Sequence, residues 1–441
     1  MKKIKSILPL TKTGMAWWLA TFMVLLLLAD YAYYYQRIFP GVYLKDVHLA
    51  NQTLQEADKT LDDLEVTFIG PLGNRETLSV KELGVQINQE KILREAFRKG
   101  RSRGWPFNFP ERLKLAGGNQ ISLPYTIEED RLDQAVNRLE KSFQKEEESA
   151  AFVVSEERLK LVPETPGYKV QKNELYLSLL SHLDKKEAPL QVHVPVEEIS
   201  PRLTADYFEE KGITEKLASF STGFDATFEN RAHNIALGAA QMDQYLIPPG
   251  ETFSFDAVVG DTTPQKGYKE APVIRGGEYV PGYGGGICQV SSTLYNAALL
   301  SNLEILQRHH HRYMAPYITA GRDATVFYQV YDLKFKNNRD HHILIATRVE
   351  DGKITAAIAG TPEEKSVEIV TKEIEIIEPP RKEKITPELP PGEQEVIEGI
   401  PGGTIEAWRI VAYPDGSRTE EKLHTDNYLP YPKTVLIGAD R

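Results

Sequence analysis

The chain has 441 residues, which is room for about three domains of ordinary size. Hydrophobic residues make up 41% and charged residues 26%, as in folded globular proteins, and this excludes a largely disordered chain. Acidic residues outnumber basic residues by 63 to 52, for a formal net charge of −11. That balance argues against nucleic-acid binding, which needs a basic face to neutralise phosphates.

An apolar run at residues 14–35 predicts a membrane-spanning helix, because about 20 apolar residues suffice to cross a bilayer core. Two tryptophans at one end and four tyrosines at the other suit the two headgroup interfaces. Four lysines and no acidic residue precede the run. The positive-inside rule therefore predicts a cytoplasmic stub at residues 1–13 and an extracytoplasmic location for the bulk of the chain.

A cleaved signal peptide is the alternative interpretation of this segment, since it shares the basic start and the apolar centre. The sequence has no clear small-x-small cleavage site there, and the run is long, with aromatic residues at both edges. We therefore expect an uncleaved signal anchor that holds the protein in the cell membrane by a single pass.

Two stretches between residues 41 and 204 look like copies of one unit. Gly84 and Gly167 each precede a short alternating stretch, typical of a strand, and then a helical pattern. A second helical pattern, with apolar residues at i, i+3 and i+7, begins at Leu54 and again at Leu132. Chance is the alternative for patterns this short. The repetition predicts an α+β double module.

The composition changes twice after this region. From residue 213 to 360, glycines, aromatic residues and the only cysteine gather together. From residue 365 to 441, prolines and glycines interrupt short alternating runs, beginning with SVEIVTKEIEII. Since proline breaks helices and alternation indicates strands, this last part is predicted to be a small all-β domain.

Cys288 is the first candidate for chemistry. Three glycines, Gly284 to Gly286, precede it, and the pattern then becomes helical. A thiol at a helix start has a stabilised thiolate, and the free N–H groups there could hold an oxyanion. The glycines would also let a substrate backbone approach. The structural alternative is a small buried cysteine, the commoner role of a lone cysteine.

Three consecutive histidines follow, in RHHHRYMAPY. In an extended segment His309 and His311 would point to one face and His310 to the other. A cysteine nucleophile needs a nearby base, and the base needs an acceptor that orients it. His309 or His311 could be that base. Asp323 is the nearest following acidic residue and the first candidate for the acceptor; Asp332 is the second.

Zinc binding is a competing use of the same atoms, because Cys288, His309 and His311 could be three ligands with one position left for water. A closed zinc site usually draws on paired cysteines, and the chain has one cysteine. We therefore expect no metal and no cofactor.

Arg231 begins a helical pattern in FENRAHNIALGAAQMD and could bind a substrate carboxylate through two hydrogen bonds. The structural alternative is an ion pair with a nearby acid such as Glu229 or Asp225.

Long motifs between about residues 219 and 360 resemble the VanW domain: ENRAHNIALGAAQMD, PPGETFSFDAVVG, GGEYVPGYGGGICQVSSTLYNAALL and RHHHRYMAPY. The double module, with LSVKELGV and LVPETPGYKV, resembles the peptidoglycan-binding domain often found ahead of VanW. The tail, ending PKTVLIG, is similar to a β domain named for five glycines. The resemblance implies a Gram-positive cell-wall protein outside the cytoplasmic membrane.

Some proteins of this architecture are regarded as L,D-transpeptidases, which cross-link peptidoglycan stem peptides through a cysteine. The resemblance implies that Cys288 is the nucleophile and that the family histidines are His309 and His311, with Asp323 orienting the base. The substrate contacts that we predict around the nucleophile are Gly285, Gly286, Gln289, Ser291 and Arg231. The expected partners are stem peptides and glycan, and the membrane through the helix. The alternative is a non-catalytic, membrane-anchored scaffold linked to wall maintenance or glycopeptide resistance.

The sequence thus predicts a multidomain α+β protein with a cysteine at a helix N-terminus. Its parts in chain order are a cytoplasmic stub (1–13), a transmembrane anchor (14–35), a peptidoglycan-binding double module (41–204), a VanW-like catalytic domain (213–360) and a five-glycine-type all-β domain (365–441).

Overall fold

The apolar run at the start of the chain forms helix α1, Lys12–Tyr34. Its segment Met15–Tyr34 is long and apolar enough to cross a membrane, and it is unburied within the protein. A membrane anchor and a signal peptide both have this length and composition. Residues 1–11, most of the predicted stub, lie outside the residues that the structure describes.

This computed structural model describes residues 12–105, 107–115, 117–154, 158–275 and 278–439. The chain divides into two units. The first consists of Met1–Glu148 and Pro166–Ser200, and the second of Ser149–Thr165 and Pro201–Arg441. Elements are numbered in chain order through both units.

The first unit is mixed α/β, with short strands in small sheets. Its further helices are α2 (Leu54–Asp62), α3 (Gln89–Arg98), α4 (Phe109–Leu115), α5 (Glu129–Phe143) and α6 (Lys172–Asp184). Its strands are β1 (Val42–Leu44), β2 (Val47–His48), β3 (Glu65–Ile69), β4 (Arg75–Ser79), β5 (Val85–Ile87), β6 (Asn119–Gln120), β7 (Tyr125–Ile127), β10 (Gly167–Val170), β11 (Gln191–His193) and β12 (Val196–Ile199). They pair in the orders β2-β1-β6, β11-β3-β4, β5-β7 and β10-β12.

The two predicted modules have matching local structure. Gly84 is followed by β5 and α3, and Gly167 opens β10, which is followed by α6. The faces that begin at Leu54 and Leu132 lie on α2 and α5, whose apolar residues enter one core. A capping box, in which Thr53 and Glu56 bond each other's backbone N–H groups, fixes the start of α2.

The second unit contains α7 (Ala205–Glu210), α8 (Glu229–Met242), α9 (Phe255–Val258), a 3-10 turn (Pro264–Lys266) and α10 (Ile287–Leu300). Its strands are β8 (Ala151–Val154), β9 (Leu159–Val162), β13 (Glu215–Gly223), β14 (Tyr245–Ile247), β15 (Thr252–Ser254), β16 (Glu270–Arg275), β17 (Glu278–Tyr283), β18 (Glu304–Gln307), β19 (Lys334–Lys336), β20 (Ile343–Glu350), β21 (Lys353–Gly360), β22 (Ser366–Ile377), β23 (Arg381–Thr386), β24 (Gln394–Ile397), β25 (Gly402–Ala412), β26 (Arg418–Tyr428) and β27 (Lys433–Gly438).

Helix α10 is the centre of the second unit. It contacts the four-stranded sheet β13-β21-β20-β14 and helix α8, and nearly all of its residues are buried. A helix that is largely apolar and buried all round belongs in a core, so Cys288 at its start has a rigid support.

Two domain boundaries differ from the prediction. The segment Ser149–Thr165 lies within the predicted 41–204 module but is part of the second structural unit, because Phe152 and Val154 pack into a core with Phe208 and Leu344. The backbone N–H of Phe152 also donates to Gln244 Oε1 at 2.8 Å.

The C-terminal part is all-β over the described residues 361–439, with the sheets β22-β25-β26 and β23-β27-β24. The second boundary difference lies here. Ile369 of β22 is buried in the same core as α10, and Leu423 of β26 packs against that core. The C-terminal strands thus share a core with the region before them.

Candidate active site

Cys288 is the second residue of α10, and it is half-buried. Gly286 caps the helix start with φ 107°, a left-handed conformation that favours glycine. The Cys288 Sγ lies 3.5 Å from the backbone O of Val326. The cysteine thus lies at the helix N-terminus, where the sequence placed it.

The glycine loop before the cysteine is tightly packed. A Cβ on Gly285 would come within 2.8 Å of the Pro272 carbonyl oxygen, and one on Gly286 within 2.8 Å of Ile235. Both distances are below van der Waals contact. Gly285 and Gly286 line the cavity described below, but a packing role accounts for the absence of a side chain at each.

His311 connects the thiol with a carboxylate. Its Nδ1 lies 2.6 Å from Asp323 Oδ2, and its backbone N–H donates to the same oxygen at 2.6 Å. Its ring also interacts electrostatically with the Cys288 side chain. Since Asp323 holds Nδ1, Nε2 is the ring nitrogen left available to the thiol. The three residues form a thiol–imidazole–carboxylate series.

The charges in this series favour an ion pair. Burial opposes the charged form of His311, but hydrogen bonds to Asp323 and Cys288 outweigh it and raise the pKa of His311 to about 10. Burial likewise raises the pKa of Cys288, but the hydrogen bond and positive charge of His311 outweigh it, so that the pKa of Cys288 is lowered. A thiolate beside an imidazolium is the reactive form of such a pair.

Asp323 is held by groups that the sequence did not indicate. The Arg308 Nη2 donates to Asp323 Oδ1 at 3.0 Å, and the Tyr428 hydroxyl donates to the same oxygen. Arg308 Nη1 in turn donates to Asp426 Oδ1 at 2.7 Å. Burial raises the pKa of Asp323, but these donors and His311 hold it well below its usual range. Asp323 is therefore a carboxylate.

The residues that hold Asp323 differ in whether a local sequence signal could have indicated them. Arg308 directly precedes the histidines, so its position was a usable signal. Asp426 and Tyr428 lie on β26, and Tyr428 is 105 residues from Asp323 in the sequence. Nothing local connects that strand to the site.

His309 and His310 make contacts different from those of His311. The His309 ring lies 4.7 Å from the Tyr331 ring, and its Nε2 is 3.3 Å from Gln307 Nε2. His310 Nδ1 faces the His311 carbonyl oxygen at 2.7 Å. The structure therefore brings His311, and not His309, to the thiol.

Asp332, the second predicted acceptor, serves another segment. Its carboxylate accepts from the Ser254 hydroxyl at 2.6 Å and from the Asp256 backbone N–H at 2.9 Å. It stabilises the start of α9, whereas Asp323 is bonded to His311.

Gln289 and Ser291, two of the predicted substrate contacts, form buried hydrogen bonds that support α10. Gln289 donates to the Gly223 carbonyl oxygen at 2.8 Å, and Ser291 donates to the Ala324 carbonyl oxygen at 2.7 Å. Both side chains are fully buried. They fix α10 against its neighbours, and Gln289 also lies in the wall of the cavity described below; substrate contact by either residue stays a prediction.

Arg231, the fifth predicted substrate contact, does line the cavity. Its Nη2 donates to Gln289 Oε1 at 2.6 Å, which orients the guanidinium beside the start of α10.

Tyr317 is a further group at the site that the sequence did not indicate. Its ring meets the His311 ring edge-on, with centroids 6.3 Å apart, and its hydroxyl lies 3.5 Å from Ser292 Oγ. Burial, and then the negative charge of Cys288, raise the pKa of Tyr317 well above its usual value. The phenol therefore stays protonated.

The zinc alternative does not fit these positions. It requires Cys288, His309 and His311 to converge, but His309 lies against Tyr331, and His311 commits Nδ1 to Asp323. Within the described parts of the chain, no group of three or more His, Cys, Asp or Glu side chains is arranged to hold a metal ion.

The thiol and His311 open onto a cavity of about 1840 Å³ in the second unit. The β16–β17 hairpin, the histidine segment and β26 contribute to its walls. Exposed aromatic side chains, including Phe228, Tyr283 and Phe327, stand among its lining residues. The cavity exceeds the range of about 300–1,000 Å³ that is typical of small-molecule pockets.

The fold and the site define a multidomain α/β protein with a thiol–imidazole–carboxylate series at the N-terminus of a buried helix. Residues 230–359 match the family model described as VanW like protein, and residues 76–191 match the one described as "Putative peptidoglycan binding domain". The chain thus contains a region of the VanW family, residues 230–359, and ahead of it a region that matches the peptidoglycan-binding model.

Two curated relatives are similar to part of the chain. One is the uncharacterized protein YoaR of Bacillus subtilis (strain 168), 38% identical over 194 residues, which are 44% of this chain and 63% of that protein. The other is the vancomycin B-type resistance protein VanW of Enterococcus faecalis (strain ATCC 700802 / V583), 34% identical over 148 residues, 32% of this chain and 54% of that protein. The chain thus spans less than two thirds of either relative.

Among solved structures, the IgA1 protease G5 domain matches 18% of this chain and 96% of its own, at 23% identity and a TM-score of 0.13. That score is too low to support an argument about fold, so the five-glycine assignment of residues 365–441 stays a prediction.

Proposed function

We propose that this chain is a cell-wall-facing protein that binds peptidoglycan and transfers acyl groups between stem peptides through Cys288. The binding part of this proposal rests on the match of residues 76–191 to a peptidoglycan-binding domain, because such a domain indicates contact with the wall polymer. One N-terminal apolar helix is consistent with that location, and we propose that it is retained as the anchor.

The observation that carries the catalytic part is the series Cys288–His311–Asp323. A nucleophile bonded to a base, which is bonded to an orienting carboxylate, is the arrangement that acyl transfer needs. Cys288 also lies where a helix N-terminus stabilises negative charge. A buried cysteine with a purely structural role needs neither partner.

The proposed reaction has two halves. The Cys288 thiolate attacks the carbonyl carbon of the third residue of a donor stem peptide, forming a C–S bond. The C–N bond to D-alanine breaks, and the His311 imidazolium gives its proton to the departing amine. An acceptor side-chain amine then attacks the thioester and loses a proton to His311, and the C–S bond breaks to regenerate the thiolate.

The test is the intact mass of the full chain after incubation with tetrapeptide muropeptides. We expect a covalent adduct equal to the donor minus D-alanine, present on the wild-type chain and absent from Cys288→Ala. Cys288→Ser is the matched control, since it replaces the thiol by a hydroxyl of similar size at the same position. Absence of any adduct, together with unchanged wall cross-links in cells carrying Cys288→Ala, would contradict the proposal.

The alternative is a non-catalytic scaffold that binds the wall and positions other proteins. The matches favour it in one respect, since their names refer to binding and to vancomycin resistance and to no reaction. Sedimentation with isolated peptidoglycan tests binding alone, and both functions predict that Cys288→Ala still sediments. The scaffold further predicts that Cys288→Ala restores normal wall composition in cells that lack the protein.

A further inference from the structure

A group of exposed apolar side chains lies beside the end of α1. We define it as the aromatic patch: Trp105, Phe107, Phe109 and Leu113, which are exposed by 43%, 70%, 55% and 61%. The patch lies in the first unit, in and just before α4. Four large apolar side chains left in water over nine residues are unusual for a folded surface.

Direct contacts join the patch segment to the last turns of α1. The Trp105 ring lies 5.0 Å from the Tyr31 ring. Arg112 Nη2 donates to Asp30 Oδ1 at 2.8 Å, and Arg101 Nη2 donates to the Tyr34 carbonyl oxygen at 2.7 Å. The segment is therefore held laterally against the helix.

These contacts determine the depth of the patch relative to a bilayer. Tyr31 lies three residues before the end of α1 at Tyr34, which is about 5 Å of helix rise. If α1 spans a membrane, its tyrosine-rich end lies at the headgroup interface, where tyrosine and tryptophan are enriched. A group bonded to that end lies at the same level.

The charge around the patch is opposite to that of the whole chain. Residues 98–114 contain one acidic residue, Glu111, whereas the chain as a whole has a net charge of −11. The basic residues of the segment are Arg98, Lys99, Arg101, Arg103, Arg112 and Lys114. Of these, Arg98, Arg103 and Lys114 are exposed. Basic side chains beside an apolar face are typical of segments that lie in the interface of an anionic membrane.

We propose that the aromatic patch inserts into the headgroup–acyl boundary of the membrane that holds α1, with anionic lipid phosphates against the exposed basic residues. Apolar faces of this kind enter the boundary by about 5–10 Å. The first unit then has two membrane contacts, α1 and the patch, and a second contact stops it from rotating freely about the helix. This inference rests on the proposed retention of α1 as an anchor.

Tryptophan fluorescence tests the insertion, because the chain has four tryptophans that can be isolated. In the full-length protein, Trp17→Phe, Trp18→Phe and Trp408→Phe leave Trp105 alone. This chain is reconstituted into vesicles of phosphatidylglycerol and phosphatidylcholine whose acyl chains carry bromine near the headgroup. We expect the brominated lipid to quench Trp105, and vesicles without phosphatidylglycerol to quench it less.

A second single-tryptophan chain separates failure of the patch from failure of the anchor. Trp18→Phe, Trp105→Phe and Trp408→Phe leave Trp17, which lies within α1. Quenching of Trp17 without quenching of Trp105 overturns the insertion of the aromatic patch and supports the insertion of α1. If neither tryptophan is quenched, the insertion of α1 and the insertion of the patch are both overturned.

Variants of the patch complete the test. In the Trp105 chain, the triple change Phe107→Ser, Phe109→Ser and Leu113→Ser should abolish the quenching of Trp105. Leu177→Ser is the matched control, because Leu177 is 64% exposed in the same unit but lies on α6. Equal quenching in the triple variant and the control would overturn the inference.

Discussion

The thiol side and the carboxylate side of the candidate site depend on different regions of the chain. Cys288 stands on α10, a helix buried within the domain that contains it. Asp323 lies in a segment without helix or strand, and part of its support comes from β26, near the C-terminus. The comparison teaches that the thiol is held by its own domain, whereas the orientation of the His311 ring depends on a region that the sequence presented as separate.

Arg308 joins the two regions, and its loss should have the largest effect. Its side chain is 6% exposed and pairs with Asp323 and Asp426, which are 1% and 3% exposed. Arg308→Met leaves two buried carboxylates without their cation, so we expect the free energy of unfolding to fall by about 3–5 kcal/mol. Denaturant titration measures this change.

Arg312→Met is the matched control for this change, because Arg312 is exposed in the same segment. Exposed substitutions usually alter stability by less than about 0.5 kcal/mol. If the two variants unfold at the same denaturant concentration, the two regions are not coupled through Arg308.

His311 tests the thiol side directly. Without its ring, Cys288 loses the hydrogen bond and the positive charge that lower its pKa. A free thiol is only a few per cent thiolate at neutral pH, so His311→Ala should slow iodoacetamide alkylation of Cys288 by about 10-fold or more. His309→Ala should leave the alkylation rate unchanged. If His309→Ala slows alkylation and His311→Ala does not, His309 and not His311 is the base.

The rates of alkylation and of acyl transfer should depend differently on pH, and this difference separates the proposed roles of Cys288 and His311. Cys288 has a lowered pKa, so alkylation should persist below the range of a free thiol and decline only as pH falls through that lowered pKa. His311 has a pKa of about 10, and above it the imidazolium that protonates the leaving amine is lost. Acyl transfer should therefore decline above about pH 10 while alkylation does not. A parallel decline of both rates would contradict the assigned roles.

Much of the fold could be predicted because its signals were local. The glycine loop and the apolar pattern after Ile287 indicated the start of α10, and the alternation in SVEIVTKEIEII indicated β22. Burial could not be predicted in the same way. Gln289 and Ser291 are polar and adjacent to the nucleophile, yet they point into the core, because α10 is covered on all sides by elements distant in the sequence.

The support of Asp323 was invisible for a related reason. Tyr428 reaches that carboxylate only because the C-terminal sheet shares a core with α10, and no residue pattern near either position records this contact. The choice between His309 and His311 was equally non-local. It depends on which ring reaches Asp323 Oδ2, and spacing alone leaves the two equivalent.

Tyr428→Phe should have the smallest effect and gives the finest test of the comparison. It removes one hydroxyl that donates to Asp323 and accepts from the Gly321 backbone N–H at 2.9 Å, while Arg308 and His311 still hold the carboxylate. We expect a loss of about 1 kcal/mol in the free energy of unfolding. Tyr413→Phe, on an exposed tyrosine after β25, is the control and should change the free energy of unfolding by less than about 0.5 kcal/mol.

The same variant should affect the two reaction rates differently. Because Asp323 contacts His311 and not the thiol, alkylation of Cys288 should stay close to the wild-type rate, whereas acyl transfer should slow as the His311 ring loses its fixed orientation. If both rates fall together, β26 supports the whole site and not the base alone.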